Sequence, residues 1–505
     1  MTNYTRGIIK HVEDLTQANE RIAAEKKALK RENRELRETI TRLEITLEER
    51  IARAIEKAIA PLCEQITCLE AENAQKETEI ARLKAQINKD SSNSSKPPGT
   101  DGFKRVVNSR EKSKNKAGGQ PGHKGSTLTI PKNLDELVKA GKAKKHVIDL
   151  TGGSEKYISQ WKIDLETVVV YTEYRCPENA TASVFYGESI KAVSVLLSNE
   201  GMIAHGRLSD FIRDISGGLL SVSEASIEKF NREAAANVDI EALREDLLNG
   251  EVLNIDETTL RSTQIMEYGE EKPQTAQGTT FKATIRTHSN AETTLYTVNP
   301  HKDNEGVVRD GIIPSFVGIL SHDHDKKYYQ YGVFHATCGA HLSRELKGLY
   351  ELYKIEWAER FRKFYVGLND YKNNTELCEA EKLKEFEHTY DELLQEGASA
   401  LSAMGSTDFG YKEFKPVLKR LREYKDAYLL FIRNYKAPFT NNQAERDLRP
   451  CKTKQKVSGC FRSWEGIVCY AKIRSFFSTA RKRKVDLLNA VKGLLSDIFI
   501  CSAEQ

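Results

Sequence analysis

The chain has 505 residues, 39% hydrophobic and 30% charged, with 77 Lys or Arg against 73 Asp or Glu and a formal net charge of +4. That length accommodates several domains at roughly 100–200 residues each, and no apolar run approaches the roughly 20 residues that a bilayer requires. Nine cysteines are scattered with no C-x-x-C pair. This argues against a disulfide scaffold and, with a polar start lacking an apolar signal region, predicts a soluble, cytoplasmic protein.

The first element is a coiled coil. Ile22, Leu29, Leu36 and Leu43 recur every seven residues, with Asn33, Ile40 and Leu47 on the alternate seam. After a phase shift at Ile51, Ile55 and Ile59, Ile66, Asn73, Ile80 and Ile87 continue one seam and Leu62, Leu69 and Leu83 the other. β-Branched residues at a, leucine at d and a lone Asn at a favour a parallel dimer with a fixed register. Residues 14–90 are therefore expected to form an oligomerisation arm, with a kink near Pro61.

Composition then changes. Residues 91–132 form a Ser-, Gly-, Pro- and Lys-rich linker, and residues 96–146 hold thirteen Lys or Arg against four acids. A second basic block runs from Arg446 to Lys484, with twelve Lys or Arg against Asp447 and Glu465. Two such blocks far apart predict an extended polyanion partner, most simply nucleic acid. Lys104 and Arg105 in the first block are candidate DNA contacts, as are Lys452, Lys454, Lys456 and Arg462 in the second.

Residues 133–185 contain strand-like runs, "KHVIDL" and "TVVVYTEYRC", which predict a small β-containing segment. Residues 186–247 have a helix–Gly turn–helix rhythm in which Ser223 caps the second helix, a helix-turn-helix-like DNA-binding region. Next, "EVLNIDETTLRS", "TTFKATIRTH", "TTLYTVNP" and the apolar run from Phe316 to Leu320 read as strands. Asp256 lies near the end of the first and Asp323 follows the last. Helical patterns occupy about 335–435, and "TNNQAERDLRPCK" offers Asn441 or Asn442 as a cap, with Glu445 in the first helical turn. Residues 248–485 thus form an α/β domain with a helical insertion, followed by a C-terminal helix at 486–505. The fold class is multidomain α+β.

Three carboxylates from two strands and one helix suit a two-metal phosphoryl-transfer site, because hard oxygen ligands hold Mg²⁺ or Mn²⁺. Taken singly each acid is weak support, since a triple is easily chosen among so many acids. His335, Cys338 and His341 in "HATCGAH" could form a metal face. With no fourth ligand evident nearby, a packed helix start is the simpler expectation.

Four stretches together carry a resemblance: "SSNSSKPPGTDG" with "GGQPGHKG", "NIDETTLR", "GILSHDHDKKYYQYG…HATCGAHLSREL", and "NNQAERDLRPCKTKQKVSGCFRSWEG…IRSFFSTARK". In that order they resemble the IS66 family of bacterial insertion-sequence transposases, which have a DDE-type, RNase H-like catalytic domain. The resemblance implies metal-dependent cleavage and strand transfer at the element's terminal repeats, with Mg²⁺ or Mn²⁺, usually two ions. It maps the triad onto Asp256, Asp323 and Glu445 and places Lys452 where many such enzymes carry a basic residue facing DNA. It implies terminal-repeat and target DNA as partners, small accessory proteins, and a nucleoid-associated location when bound to DNA. Family members commonly carry a zinc-binding cysteine cluster after the linker. Residues 125–185 here hold only Cys176, so no zinc is expected. Two alternatives are a non-catalytic coiled-coil DNA-binding protein derived from a transposase and, from the H-x-x-R pair His341 and Arg344, a tyrosine recombinase.

Overall fold

A computed structural model describes residues 7, 28–94, 130–141, 143–148, 163, 168–172, 184–332 and 334–495. Lys104, Arg105, Cys176 and the side chains of Leu29, Asn33, Leu36 and Ile40 lie outside the described residues. The chain divides into two compact units at Asn88. Among the described residues, no helix is long and apolar enough to cross a membrane.

In the first unit, Ala28–Asn88 form one α-helix, α1, of 61 residues, about 90 Å at 1.5 Å per residue. Pro61 lies inside it and does not end it. The heptad positions Ile59, Leu62, Ile66, Leu69, Ile80 and Leu83 are all exposed, so an apolar stripe runs along the helix.

The second unit begins its regular structure with the short α2, Leu134–Lys139. Residues 143–148 and 168–172, expected as strands, join no ladder, and Val147, Ile148, Val168, Val170 and Tyr171 are exposed. A strand needs a ladder for its backbone groups, and no strand pairs with either run among the described residues.

Four helices follow: α3 Glu188–Asn199, α4 His205–Ile215, α5 Glu224–Ala236 and α6 Ile240–Leu248. Gly217 and Gly218 take positive φ in the turn after α4, and the Ser223 side chain caps α5 by accepting from the Ser226 N–H.

A mixed five-stranded sheet follows. It comprises β1 Val252–Ser262, β4 Phe281–Ser289, β5 Thr294–Asn299, β6 Ile319–His322 and β7 Phe334–Thr337, in the order β5-β4-β1-β6-β7. A two-stranded ribbon, β2 Gln264–Ile265 with β3 Gln274–Thr275, extends from β1. β4 is antiparallel to β1 and β5, whereas β6 is parallel to β1 and β7. The short α7, Asn304–Asp310, precedes β6.

The helical insertion is α8 Gly339–Tyr353, α9 Glu356–Asn373, α10 Ala380–Ser402, α11 Tyr411–Glu423 and α12 Lys425–Arg433. Its core is aromatic, with Trp357, Phe361, Tyr365, Tyr390, Phe414 and Phe431 buried together. The chain returns through α13 Asn442–Ser458, α14 Trp464–Lys482 and α15 Leu487–Leu494.

Val195, Leu208, Ile227 and Phe230 from the early helices share one core with Phe477, Leu487 and Val491 from α14 and α15. The C-terminal helix therefore shares the core of helices α3, α4 and α5. A boundary at 486 falls inside that core, because the early helices cover their apolar faces with chain some 250 residues later.

Candidate functional site

Strand register explains the first pairing. Ile255 lies opposite His322 in the parallel β1–β6 pair. Asp323 follows the end of β6, whereas Asp256, expected near a strand end, lies inside β1, which stays paired with β4 as far as Ser262 and sets Asp256 opposite Thr287. Side chains alternate along a strand, which separates Asp256 from its neighbour Glu257. Glu257 pairs at 2.9 Å with Arg286 on β4, in a buried charge network with Asp310 and Lys327 that the exposed Lys302 joins from the surface.

The third acid comes from the return of the chain. Glu445 is in the first turn of α13, and Asn441 occupies the N-cap position without capping the helix. Its amide instead donates to the Ile255 carbonyl on β1 at 2.6 Å, while its N–H donates to Cys338 Sγ at 3.3 Å. Asn441 is fully buried. One residue thus ties the start of α13 to the strand bearing Asp256 and to the start of α8.

A second clamp sits further along α13, at Asp447. The Asp447 carboxylate accepts from Ser289, Thr294 and Gln443 and pairs with Lys482 Nζ at 2.9 Å. Lys482 also donates to Ser289 Oγ and to the Asn290 and Thr293 carbonyls. Both side chains are nearly buried.

Four donors converge: Asp323, Cys338, His341 and Glu445 each place one ligand atom within 4.8 Å of the others. His341 Nδ1 lies 3.1 Å from Asp323 Oδ1 and 3.7 Å from Glu445 Oε1. The atoms are close but misaligned for hydrogen bonding, and all three are buried without a hydrogen-bond partner. Burial opposes charge on His341, but the neighbouring Asp323 and Cys338 outweigh it and push the imidazole up to about 11.

Asp256 is not a member of that four-donor group. One of its oxygens accepts from the Glu257 N–H at 2.8 Å, which engages half of the carboxylate with its own strand. Its surroundings are nevertheless shared. Burial first, and then the charges of Asp323 and Glu445, push its carboxyl up to about 7, against an opposing pull from Lys452.

The spacing in "HATCGAH" had offered no fourth ligand. The structure supplies the missing donors from a strand end and a distant helix, and it diverts His335, whose Nδ1 lies 3.1 Å from His322 Nε2. Asp323, Cys338 and His341 also line a cavity of about 600 Å³ that extends to His324, Glu345, Arg420 and Tyr428.

The basic candidates divide. Lys452, Lys456 and Arg462 are exposed. Lys454 is half-buried, and its ammonium donates at 2.9 Å to the Ser198 carbonyl near the end of α3. Burial lowers its pKa.

Residues 183–468, more than half of the chain, match the family model described as "Transposase IS66 family", and residues 11–129 match a family of unknown function, DUF6444. Among curated proteins none matches. A solved structure described as the crystal structure of the Mos1 strand transfer complex is 10% identical, over 50% of this chain and 79% of that chain, with a TM-score of 0.12. At that score the likeness carries no argument about this chain.

Proposed function

The chain belongs to the IS66 transposase family, and from that premise we propose that it cuts DNA at the ends of an insertion sequence and joins the strands to target DNA by metal-dependent phosphoryl transfer. The observation that carries this reading is the convergence of Asp323 and Glu445, from a strand end and a helix start, through buried oxygens with no hydrogen-bond partner. The mixed sheet, in which Asp323 leaves β6 beside Asp256 on the adjoining β1, supports an RNase H-like catalytic core.

Asp256, Asp323 and Glu445 are the residues that would hold one or two Mg²⁺ or Mn²⁺ ions. Oxygen donors suit these hard cations, and the orphaned carboxylate oxygens fit the role. When bound, such ions activate the attacking hydroxyl and stabilise the leaving oxygen. Asn441 and the Asp447–Lys482 pair aim Glu445. The exposed Lys452, Lys456 and Arg462 hold the flanking phosphates, and Lys104 and Arg105 in the linker serve the same end. Helices α4 and α5 are the DNA-reading pair. The stripe on α1 pairs two chains as a parallel coiled coil, so that both ends of the element are held in one complex.

The test is nicking of a duplex bearing the element's ends. Asp323→Asn and Glu445→Gln should each lower Mg²⁺-dependent cleavage by at least a thousandfold, roughly 4 kcal/mol of transition-state stabilisation, and leave DNA affinity within threefold. Cleavage by Asp323→Asn at the wild-type rate would show the triad to be misassigned.

A further inference from the structure

We infer that the metal centre at Asp323 and Glu445 is completed by His341 and Cys338, and that it takes a borderline transition ion such as Co²⁺ or Zn²⁺ in preference to Mg²⁺. The inference rests on the reading of these acids as a metal centre, and not on the DNA chemistry assigned to it.

Three observations carry it. The first is spacing. Ligand atoms sharing an ion at about 2.1 Å lie roughly 3.0–3.7 Å apart when they subtend about 90–120° at it. The two contacts of His341 Nδ1, 3.1 Å to Asp323 Oδ1 and 3.7 Å to Glu445 Oε1, fall in that window. The second is that these same three buried atoms make no aligned hydrogen bond and face only one another, an arrangement that an ion placed between them would satisfy.

The third is the placement of the sulfur. Cys338 immediately precedes α8 and His341 lies in its first turn, so the i, i+3 spacing puts both on one side of the helix start. Cys338 is 97% buried, and the Asn441 N–H fixes its Sγ. Its sulfur belongs to the four-donor group and faces the cavity that Asp323 and His341 also line.

One nitrogen, one sulfur and two carboxylate oxygens form a mixed donor set. Imidazole and thiolate favour Zn²⁺ and its neighbours, whereas Mg²⁺ demands oxygen in octahedral array. Asp256, outside this group, remains for a second, oxygen-bound ion.

Co²⁺ titrated into the full-length protein reads the coordination directly. The wild type should show the intense visible bands of four-coordinate cobalt and a thiolate-to-cobalt charge-transfer band. Cys338→Ser should lose the charge-transfer band while still binding Co²⁺. His341→Asn should weaken Co²⁺ binding by tenfold or more, and Asp256→Asn should keep both spectral features. Far-UV circular dichroism checks that each variant is folded, and the Cys338→Ser spectrum stands independently if His341→Asn is not. A wild-type spectrum without the charge-transfer band, or His341→Asn binding Co²⁺ as tightly as wild type, overturns the inference. A protein that shows the expected spectra yet cuts no DNA overturns the transposition chemistry and leaves this metal centre in place. One that cuts DNA but gives a silent cobalt spectrum does the reverse.

Discussion

Replacing Asp447 by Asn should loosen the start of α13, and Glu445 with it. The carboxylate serves four donors at once, and it is the only carboxylate paired with Lys482 among the described residues. Removing one partner of a buried ion pair costs about 3–5 kcal/mol. Here Lys482 keeps Ser289 Oγ and two backbone carbonyls, and the new amide can still accept from Thr294 or Gln443. The net cost is therefore about 2–4 kcal/mol. If that loss falls on local opening, amide exchange over residues 442–450 should accelerate roughly 30- to 900-fold, at about 1.4 kcal/mol per decade. Hydrogen exchange read by mass spectrometry gives the answer, with α9 in the insertion as an internal control. Lys482→Met should accelerate the same segment, and the double variant should fall short of the sum, since the two side chains share one interaction. Acceleration of less than threefold in α13, or an equal acceleration in α9, would refute the idea that this pair clamps Glu445's helix.

Deleting residues 1–90 should leave a monomer in sedimentation velocity, since the exposed heptad residues of α1 go with it; a surviving dimer would place self-association elsewhere. Neutralising Lys452, Lys456 and Arg462 together should flatten the log–log salt dependence of DNA binding by about 2.7, at roughly 0.9 per phosphate contact. Lys454→Gln should leave that slope unchanged, because its ammonium is committed to the Ser198 carbonyl. Burial raises the Glu257 and Asp310 carboxyls, but Arg286 and Lys327 at Glu257, and His288 and Arg286 at Asp310, outweigh it and hold both below the usual range. Their contribution to stability is thus present above the unfolded value of about 4 and lost as pH falls through the folded one. Arg286→Met should move the midpoint of acid unfolding, followed by tryptophan fluorescence, to higher pH, and an unchanged midpoint would contradict this.

What the sequence made legible was local. β1, β4, β5 and β6 were readable because apolar and β-branched runs end at turn residues or, for β6, at Asp323, whereas the place of Asp256 inside β1 was not, because β4 keeps pairing with β1 beyond the end of β6. Glu445 was readable as a first-turn residue because "TNNQAER" has the composition of a helix start. β7 was not, since four residues beside a His–Cys–His spacing carry too little periodicity to separate strand from helix. Lys454 read as one cation among many, and only its contact with Ser198, 256 residues earlier, sets it apart. The same distance effect hid the donor set around His341. Its i, i+3 partner was visible in the sequence, but the carboxylates reach it from β6 and from α13.

The residue that joins these separate segments is Asn441, and its role explains why the site can be acidic and ordered together. Three carboxylates repel one another, so charge alone would spread Asp256, Asp323 and Glu445 apart. Beside the charged Asp447–Lys482 clamp, the bonds that tie these segments together are neutral: Asn441 to the Ile255 carbonyl and to Cys338 Sγ, Gly339 N–H to the Phe439 carbonyl, and Cys338 N–H to the His322 carbonyl. Each joins two of the segments that carry donors, and none weakens when the carboxylates ionise. The positioning of the acids is thereby independent of their charge. Asn441→Ala should consequently impair Co²⁺ binding at the His341 centre by tenfold or more even though it removes no ligand, whereas Asn441→Asp, which places a further anion facing the Ile255 carbonyl, should be worse. Equal Co²⁺ affinity in wild type and Asn441→Ala, measured on folded protein, would show that the acids hold their places without this bridge.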